Sequence, residues 1–206
     1  MHARVPYSAH PSPPQRLLAA VVGLLLLASL AACSAGEVDQ TTPGDEYEFT
    51  GATPAGQVIA PSRRAAAPDF AGELLDGAAF DSGDLAGHVA VINFWGSWCA
   101  PCRLETPDLQ AVYADVRDEG VQFLGVDVKD QRALGSAFLT DVGADYPSLF
   151  DPRGEVALAF RGFPANVVPS TILLDREGRV AAVYTGAITG DDLRSALTTL
   201  MQEPTA

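Results

Sequence analysis

Basic residues, histidine and cysteine are all scarce in this chain, and no apolar run reaches the length of an ordinary membrane span. Thirteen Lys and Arg stand against 26 Asp and Glu, a net charge of −13 over 206 residues. That balance repels a phosphate backbone and argues against nucleic-acid partners. Of three histidines, His2 and His10 lie in the first ten residues and leave His88 alone in the remainder. Two neighbouring cysteines and one distant imidazole supply no obvious four-ligand metal site. No internal repeat is evident. The unbroken apolar or small-residue run Leu17 to Ala32 has 16 residues, short of the roughly 20 that an untilted span takes.

That run follows residues that hold Arg4 and Arg16 and no acid, and it ends in small residues at Cys33. This is the layout of a targeting segment, and residues 1–32 are read as a signal peptide. Without them 11 basic residues face 26 acidic ones, a net charge of −15. Leu30-Ala31-Ala32-Cys33 resembles the lipobox of bacterial lipoprotein precursors, which implies that Cys33 is acylated and opens the mature chain. Ordinary secretory cleavage nearby, with Cys33 an idle thiol, and an uncleaved membrane helix are the other two readings. All three place the remainder outside the cytoplasm. One acyl chain holds a protein only marginally and two hold it stably, so a diacylated Cys33 predicts a lasting membrane tether.

Residues 34–66 are rich in Ala, Gly, Pro, Thr and acids and show no sustained period. They are read as a flexible linker with a reach on the order of 30 Å, with packing onto the domain left open around Val58-Ile59. From Ala67 the pattern changes, and residues 67–203 predict one α/β domain. Asp76-Gly77 between Leu74-Leu75 and Phe80 predicts an early hairpin, and Ser82 a cap for a short turn. Val89 to Trp95 is apolar apart from Asn93, as a buried strand requires, and Val121 to Val128 reads as the next strand. Leu109, Val112, Tyr113 and Val116 lie on one face of a helix from about Pro101 to Asp118. Leu134, Phe138 and Val142 mark a second helix, and Val156 to Phe160 a short one. Thr171 to Leu174 and Val180 to Tyr184 read as a hairpin, and Asp191 and Asp192 sit in the first turn of a last helix that turns Leu193, Leu197, Leu200 and Met201 inward.

Chemistry concentrates where the first long strand meets its helix, in Trp95-Gly96-Ser97-Trp98-Cys99-Ala100-Pro101-Cys102. Two cysteines three positions apart close too small a loop to act as a useful staple, which leaves redox work as the better explanation. The positive end of the helix favours an anion, so Cys99 should be partly thiolate and attack a client disulfide; Cys102, one turn further in, should resolve the mixed disulfide. Pro101 is compatible with the first helical turn, where its missing N–H is not needed.

Phe94 through Cys102 resembles the active site of thioredoxin-fold proteins, and Pro107 matches that family's helix kink. Ala67-Pro68-Asp69-Phe70, Arg103, Glu105 and Val168-Pro169-Ser170-Thr171 with Asp175 and Gly178 resemble its membrane-tethered TlpA/ResA-like branch, over essentially Ala67 to Met201. The resemblance implies a thioredoxin-like fold: a central mixed β-sheet flanked by helices, an N-terminal hairpin, and an inserted αβ unit within Asp130 to Phe160. It further implies a cis bond before Pro169 beside the cysteines, with Val168 offering backbone groups to a client strand; Pro164 is the rival proline. Asn93 stands where thioredoxin has a buried Asp, and Glu105 takes the place of a glutamate that serves proton traffic in the branch. A solvated surface acid is the alternative for Glu105. Trp98 is either part of the client-contact surface or core, and Arg103 either supports the Cys99 anion or is plain surface.

The expected activity is therefore an extracytoplasmic thiol:disulfide oxidoreductase at the outer face of the cell membrane, held there by its lipid. It needs no bound cofactor, draws electrons from a membrane donor, and reduces disulfides in client proteins, with apocytochrome c a client class implied by the branch. Oxidation of client thiols, a peroxiredoxin-like peroxidase, which shares the Ala-Pro-Asp-Phe opening, and a noncatalytic surface lipoprotein are the competing readings.

Overall fold

Residues 52–53, 55–160 and 167–204 are described by the computed structural model. The chain divides into two units, Met1–Pro43 and Gly44–Ala206, and every described residue belongs to the second. The targeting segment, Cys33 and Pro164 lie outside the described residues.

In chain order, a hairpin of β1 (Ala71–Glu73) and β2 (Ala79–Asp81) precedes β3 (Val89–Trp95), α1 (Ala100–Val116), β4 (Val121–Val128) and α2 (Arg132–Val142). Then come β5 (Ser148–Asp151), α3 (Glu155–Ala159), β6 (Ser170–Leu174), β7 (Val180–Thr185) and α4 (Gly190–Met201). The main sheet runs β5-β4-β3-β6-β7. β3 is parallel to β4 and β4 to β5, whereas β6 is antiparallel to both β3 and β7. The fold is the thioredoxin-like one expected, and the inserted unit is α2-β5-α3, which adds a parallel strand beyond β4.

All seven residues of β3 are buried, so its side chains divide between two cores. Ala90, Ile92 and Phe94 point to a cluster with Leu124, Val126 and Ile172, covered by Phe70 and Phe80 of the hairpin region. Val89 and Val91 point the other way, against Leu109 and Val112 of α1 and Leu193, Leu197 and Leu200 of α4. β3 therefore ends in the centre of the sheet with α1 lying over one face, which fixes where the cysteines emerge.

Several local expectations are corrected. The turn Ser82–Leu85 is capped by Asp81, whose Oδ1 accepts from the Gly83 N–H at 2.8 Å; the Ser82 hydroxyl accepts instead from the Phe70 N–H at 3.1 Å. The extended backbone of Asp81 aims its carboxylate at the turn's free N–H groups, the geometry a cap needs. α1 stops at Val116, and a 3-10 turn over Arg117–Glu119 leads to Gly120 in the left-handed region at φ 83°. Leu134 is 50% exposed, because the buried face of α2 is set by Gly135, Phe138 and Leu139.

The linker boundary at residue 66 falls too late. Thr53 N–H donates to the Val183 carbonyl at 2.7 Å, Ile59 N–H to Ala181 at 2.6 Å, and Ala66 bridges Arg179. The segment thus runs along the outer side of β7. The buried Arg64 guanidinium anchors it, donating to Asp175 at 3.0 Å and to both carboxylate oxygens of Glu203 at 2.6 Å. Composition hid this because the partners on β7, Asp175 and Glu203 all lie more than a hundred residues away.

Candidate active site

β3 hands the chain to α1 through Gly96 to Cys99, and Cys99 is the N-cap of the helix. Cys99 and Cys102 form a disulfide. The Cys99 sulfur accepts from the Cys102 N–H at 3.2 Å, so a free backbone donor of the helix start is already aimed at the atom that would carry charge after reduction. Cys99 is 3% exposed and Cys102 fully buried.

The loop before Cys99 is held from three sides. The Asp130 carboxylate accepts from the Ser97 N–H at 2.6 Å, the Arg103 guanidinium donates to the Ser97 carbonyl at 3.2 Å, and the Trp98 indole N–H donates to the Val128 carbonyl at 3.2 Å. Trp98 is nevertheless 54% exposed, so its ring is surface beside the cysteines, while Trp95 is core. Arg103 also lies over the Phe138 ring at 5.0 Å, which makes it a clamp on the loop. The Val168–Pro169 bond is cis, and Val168 packs against the cluster formed by Trp95, Cys99, Cys102 and Phe138. His88 is placed away from these residues, its ring facing the Gly120 carbonyl at 3.3 Å.

Glu105 is not a surface acid. It is 3% exposed, one turn after Cys102 on the inner side of α1. Its two oxygens accept from the Asn93 amide at 3.0 Å and the Ile188 N–H at 3.0 Å. Asn93 also donates to the Thr171 hydroxyl at 3.1 Å. Burial pushes the Glu105 pKa up to about 7, and the two hydrogen bonds pull it down only in part. A carboxyl so placed can hold or release a proton near neutral pH within one helical turn of the Cys102 sulfur.

Sequence reasoning missed a second buried acid, Asp127, near the end of β4 and directly paired with Trp95. It is wholly buried, and burial followed by the nearby Asp130 carboxylate raises its pKa to about 8. The available signal was an Asp inside the run Val121 to Val128, which is apolar or Gly apart from it and Gln122. Among the described residues no group of three or more His, Cys, Asp or Glu is arranged to hold a metal.

Known proteins share this arrangement. The AhpC/TSA family model matches residues 64–183. The thiol-disulfide oxidoreductase ResA of Geobacillus thermodenitrificans is 32% identical over 131 residues, 64% of this chain and 74% of the relative. That of Bacillus subtilis is 32% identical over 123 residues, 60% of this chain and 67% of the relative. Among solved structures, a DsbF homologue from Corynebacterium diphtheriae superposes with a TM-score of 0.68 at 34% identity, covering 75% of this chain and 99% of the other. A secreted thiol-disulfide isomerase from Corynebacterium glutamicum superposes with a TM-score of 0.69 at 35% identity, covering 76% and 99%. With its cysteine pair capping a helix at the centre of a mixed sheet, the chain belongs to the AhpC/TSA family and is a thiol-disulfide oxidoreductase of thioredoxin-like fold.

Proposed function

We propose that this oxidoreductase works outside the cytoplasm, tethered to the membrane by a lipid on Cys33, and reduces disulfides in client proteins. The observation that carries the chemistry is the Cys102 N–H pointing at the Cys99 sulfur from the helix start. In the reduced state the Cys99 thiolate attacks a client disulfide, one client sulfur leaves as a thiolate that takes a proton from water, and a mixed disulfide forms. Cys102 then gives up its proton, attacks the Cys99 sulfur, and releases the second client thiol. Glu105, one turn away on α1, is the group that takes the Cys102 proton, and its raised pKa near 7 suits that task. Trp98, exposed beside Cys99, and Val168-Pro169 form the client-contact surface.

The export reading rests on the arginine-bearing, apolar N-terminal segment and Cys33, and is supported by the secreted relative. No helix among the described residues is long and apolar enough to cross a membrane. Radiolabelled palmitate should enter the wild-type chain and not Cys33→Ser. A net charge of −15 after Cys33 favours basic client segments, such as those of an apocytochrome c, and their association should slow as salt is raised. Direction is decided by the potential of the cysteine couple, measured against defined thiol/disulfide buffers. A value near about −270 mV supports a reductant fed by a membrane electron donor, and one near about −120 mV would make the protein an oxidant of client thiols. A Cys102→Ser chain should accumulate mixed disulfides with its clients, whereas a noncatalytic lipoprotein would yield none.

A further inference from the structure

Among the described residues, buried polar side-chain atoms without a well-formed hydrogen bond belong to Asn93, Trp95, Asp127, Tyr146 and Ser148, where Asp127 approaches only the Asp130 carboxyl and Tyr146 only the Thr106 hydroxyl. They are not scattered. Asn93 and Trp95 are two apart on β3, Trp95 pairs with Asp127 on β4, and Ser148 on β5 pairs with Gly125, two before Asp127. Strand alternation therefore puts these side chains on one face of the sheet, the face under α1 and α2. Two glycines keep that space open. A Cβ on Gly125 would collide with the Ser148 hydroxyl and the Trp95 indole nitrogen, and one on Gly135 of α2 would collide with the Asp127 carboxyl.

This polar strip touches the redox centre at both ends. At one end Asn93 donates to Glu105, and the Glu105 charge acts on the Tyr146 phenol. At the other, Asp127 faces Asp130, and Asp130 holds the Ser97 N–H two residues before Cys99. Buried polar groups of this kind are costly unless they are hydrogen-bonded to each other or to ordered water. Among them Asp127 is the carboxyl with neither a cation nor an N–H on its oxygens, which makes it the group there that can hold a proton.

We propose that Asp127 is the second proton-holding carboxyl of this redox centre, taking up a proton when the Cys99–Cys102 bond is reduced. A dithiol that reduces the pair gives up two electrons and two protons and becomes a disulfide. The Cys99–Cys102 bond breaks, one proton goes to the Cys102 sulfur, and Cys99 is left as thiolate. Above about pH 8, where Asp127 is ionised while the disulfide is intact, the second proton stays in the protein on Asp127, whose affinity for it rises with the new negative charge in the site; below that pH Asp127 already holds a proton and the second one goes to solvent. The charged groups facing Asp127 are Asp130 from the loop after β4 and Arg132 from α2. β3 and β5 present the uncharged Trp95 and Ser148, and α1 contributes Glu105 and the cysteines further along the strip. Arg132 offsets little because its guanidinium is engaged by the Leu74 carbonyl, Glu73 and the Phe150 ring. The inference rests on the cysteine couple alone and holds for either direction of electron flow.

The test is the pH dependence of the midpoint potential of the full chain, wild type against Asp127→Asn and Glu105→Gln. Each extra proton taken up per disulfide changes the equilibrium constant tenfold per pH unit, which steepens the line by about 30 mV per unit. The wild type should show that added slope above about pH 8, where oxidised Asp127 begins to lose its proton. Asp127→Asn should lose the added slope and Glu105→Gln keep it. Superimposable lines for wild type and Asp127→Asn would overturn the proposal, while the absolute potential reports direction separately. Should Asp127→Asn fail to fold, wild-type chain carrying carboxyl-13C aspartate supplies the second measurement. The reduced-minus-oxidised infrared spectrum above pH 8 should gain a protonated-carboxyl band that shifts with the label, and a spectrum without such a band refutes the role.

Discussion

Two buried carboxyls, Asp175 and Asp127, differ in almost everything except burial. Asp175 is 2% exposed and surrounded by donors: the Arg64 and Arg179 guanidinium groups at 3.0 and 2.8 Å, and the N–H groups of Glu177 and Arg179 at 3.1 and 2.8 Å. Asp127 is 0% exposed and has neither a cation nor an N–H on its oxygens. Glu105 lies between them, with two hydrogen bonds and no cation. A buried carboxylate that must stay charged is surrounded by compensating donors, as Asp175 is; one left short of them shifts its pKa and neutralises. The fold thus keeps fixed charge at the end of the domain where the N-terminal segment docks and adjustable charge beside the cysteines.

Removing the compensation at Asp175 should have the largest effect. Arg64→Ala leaves two acids behind, one of them deeply buried, and should cost about 3–5 kcal/mol in urea unfolding without changing disulfide exchange per folded molecule. A loss below about 1 kcal/mol would mean that Asp175 is content with Arg179 and its backbone donors.

The next effect is one of pH. Carboxyls whose folded pKa exceeds the unfolded value bind protons more tightly when folded, so their contribution is full below about pH 4 and is lost as pH rises through the folded pKa. For Glu105 that window runs from about 4.5 to about 7, and for Asp127 from about 3.8 to about 8. Wild-type stability should therefore fall by a few kcal/mol between pH 5 and 8, and Glu105→Gln should remove roughly half of that fall. Equal falls in the two chains, measured as urea midpoints, would show that Glu105 does not titrate in this range.

Gly135→Ala sharpens the contrast at Asp127 itself. Alanine is better than glycine in a helix by about 1 kcal/mol, but here its methyl group would collide with the Asp127 carboxyl, and the net result should be a loss of about 1–2 kcal/mol. Adding Asp127→Ala should reverse the sign, so that the double variant is more stable than Asp127→Ala alone; an additive pair would disprove the contact. Least of all should Arg194→Ala matter, because its partner Asp115 is 62% exposed and the pair is open to solvent. A change within about 0.5 kcal/mol is expected by thermal melting.

Legibility in the sequence followed the range of the interactions. β3 and β4 were found with their ends, since a strand buried on both faces writes itself as a continuous apolar run. The cysteine pair was equally plain, because a strand, a turn and a helix start are adjacent in sequence. Glu105 could be numbered and given a role by resemblance, but its burial depends on Ile188, 83 residues on, and could not be read from α1 alone. Asp127 was hidden for a related reason: its meaning comes from Trp95 on the neighbouring strand and Gly135 on the next helix. The docking of Thr53 and residues 55–66 depended on β7 and Glu203 and left no local periodicity.

That docked segment also bears on how the protein can be handled. Its N–H and C=O groups occupy the outer backbone of β7, which would otherwise be an open sheet edge carrying Val180, Ala181 and Val183. A recombinant chain begun at Ala67 would present that edge bare and invite edge-to-edge aggregation between molecules. One begun ahead of Thr53 should stay monodisperse, so the first residue chosen decides whether a soluble domain is obtained at all.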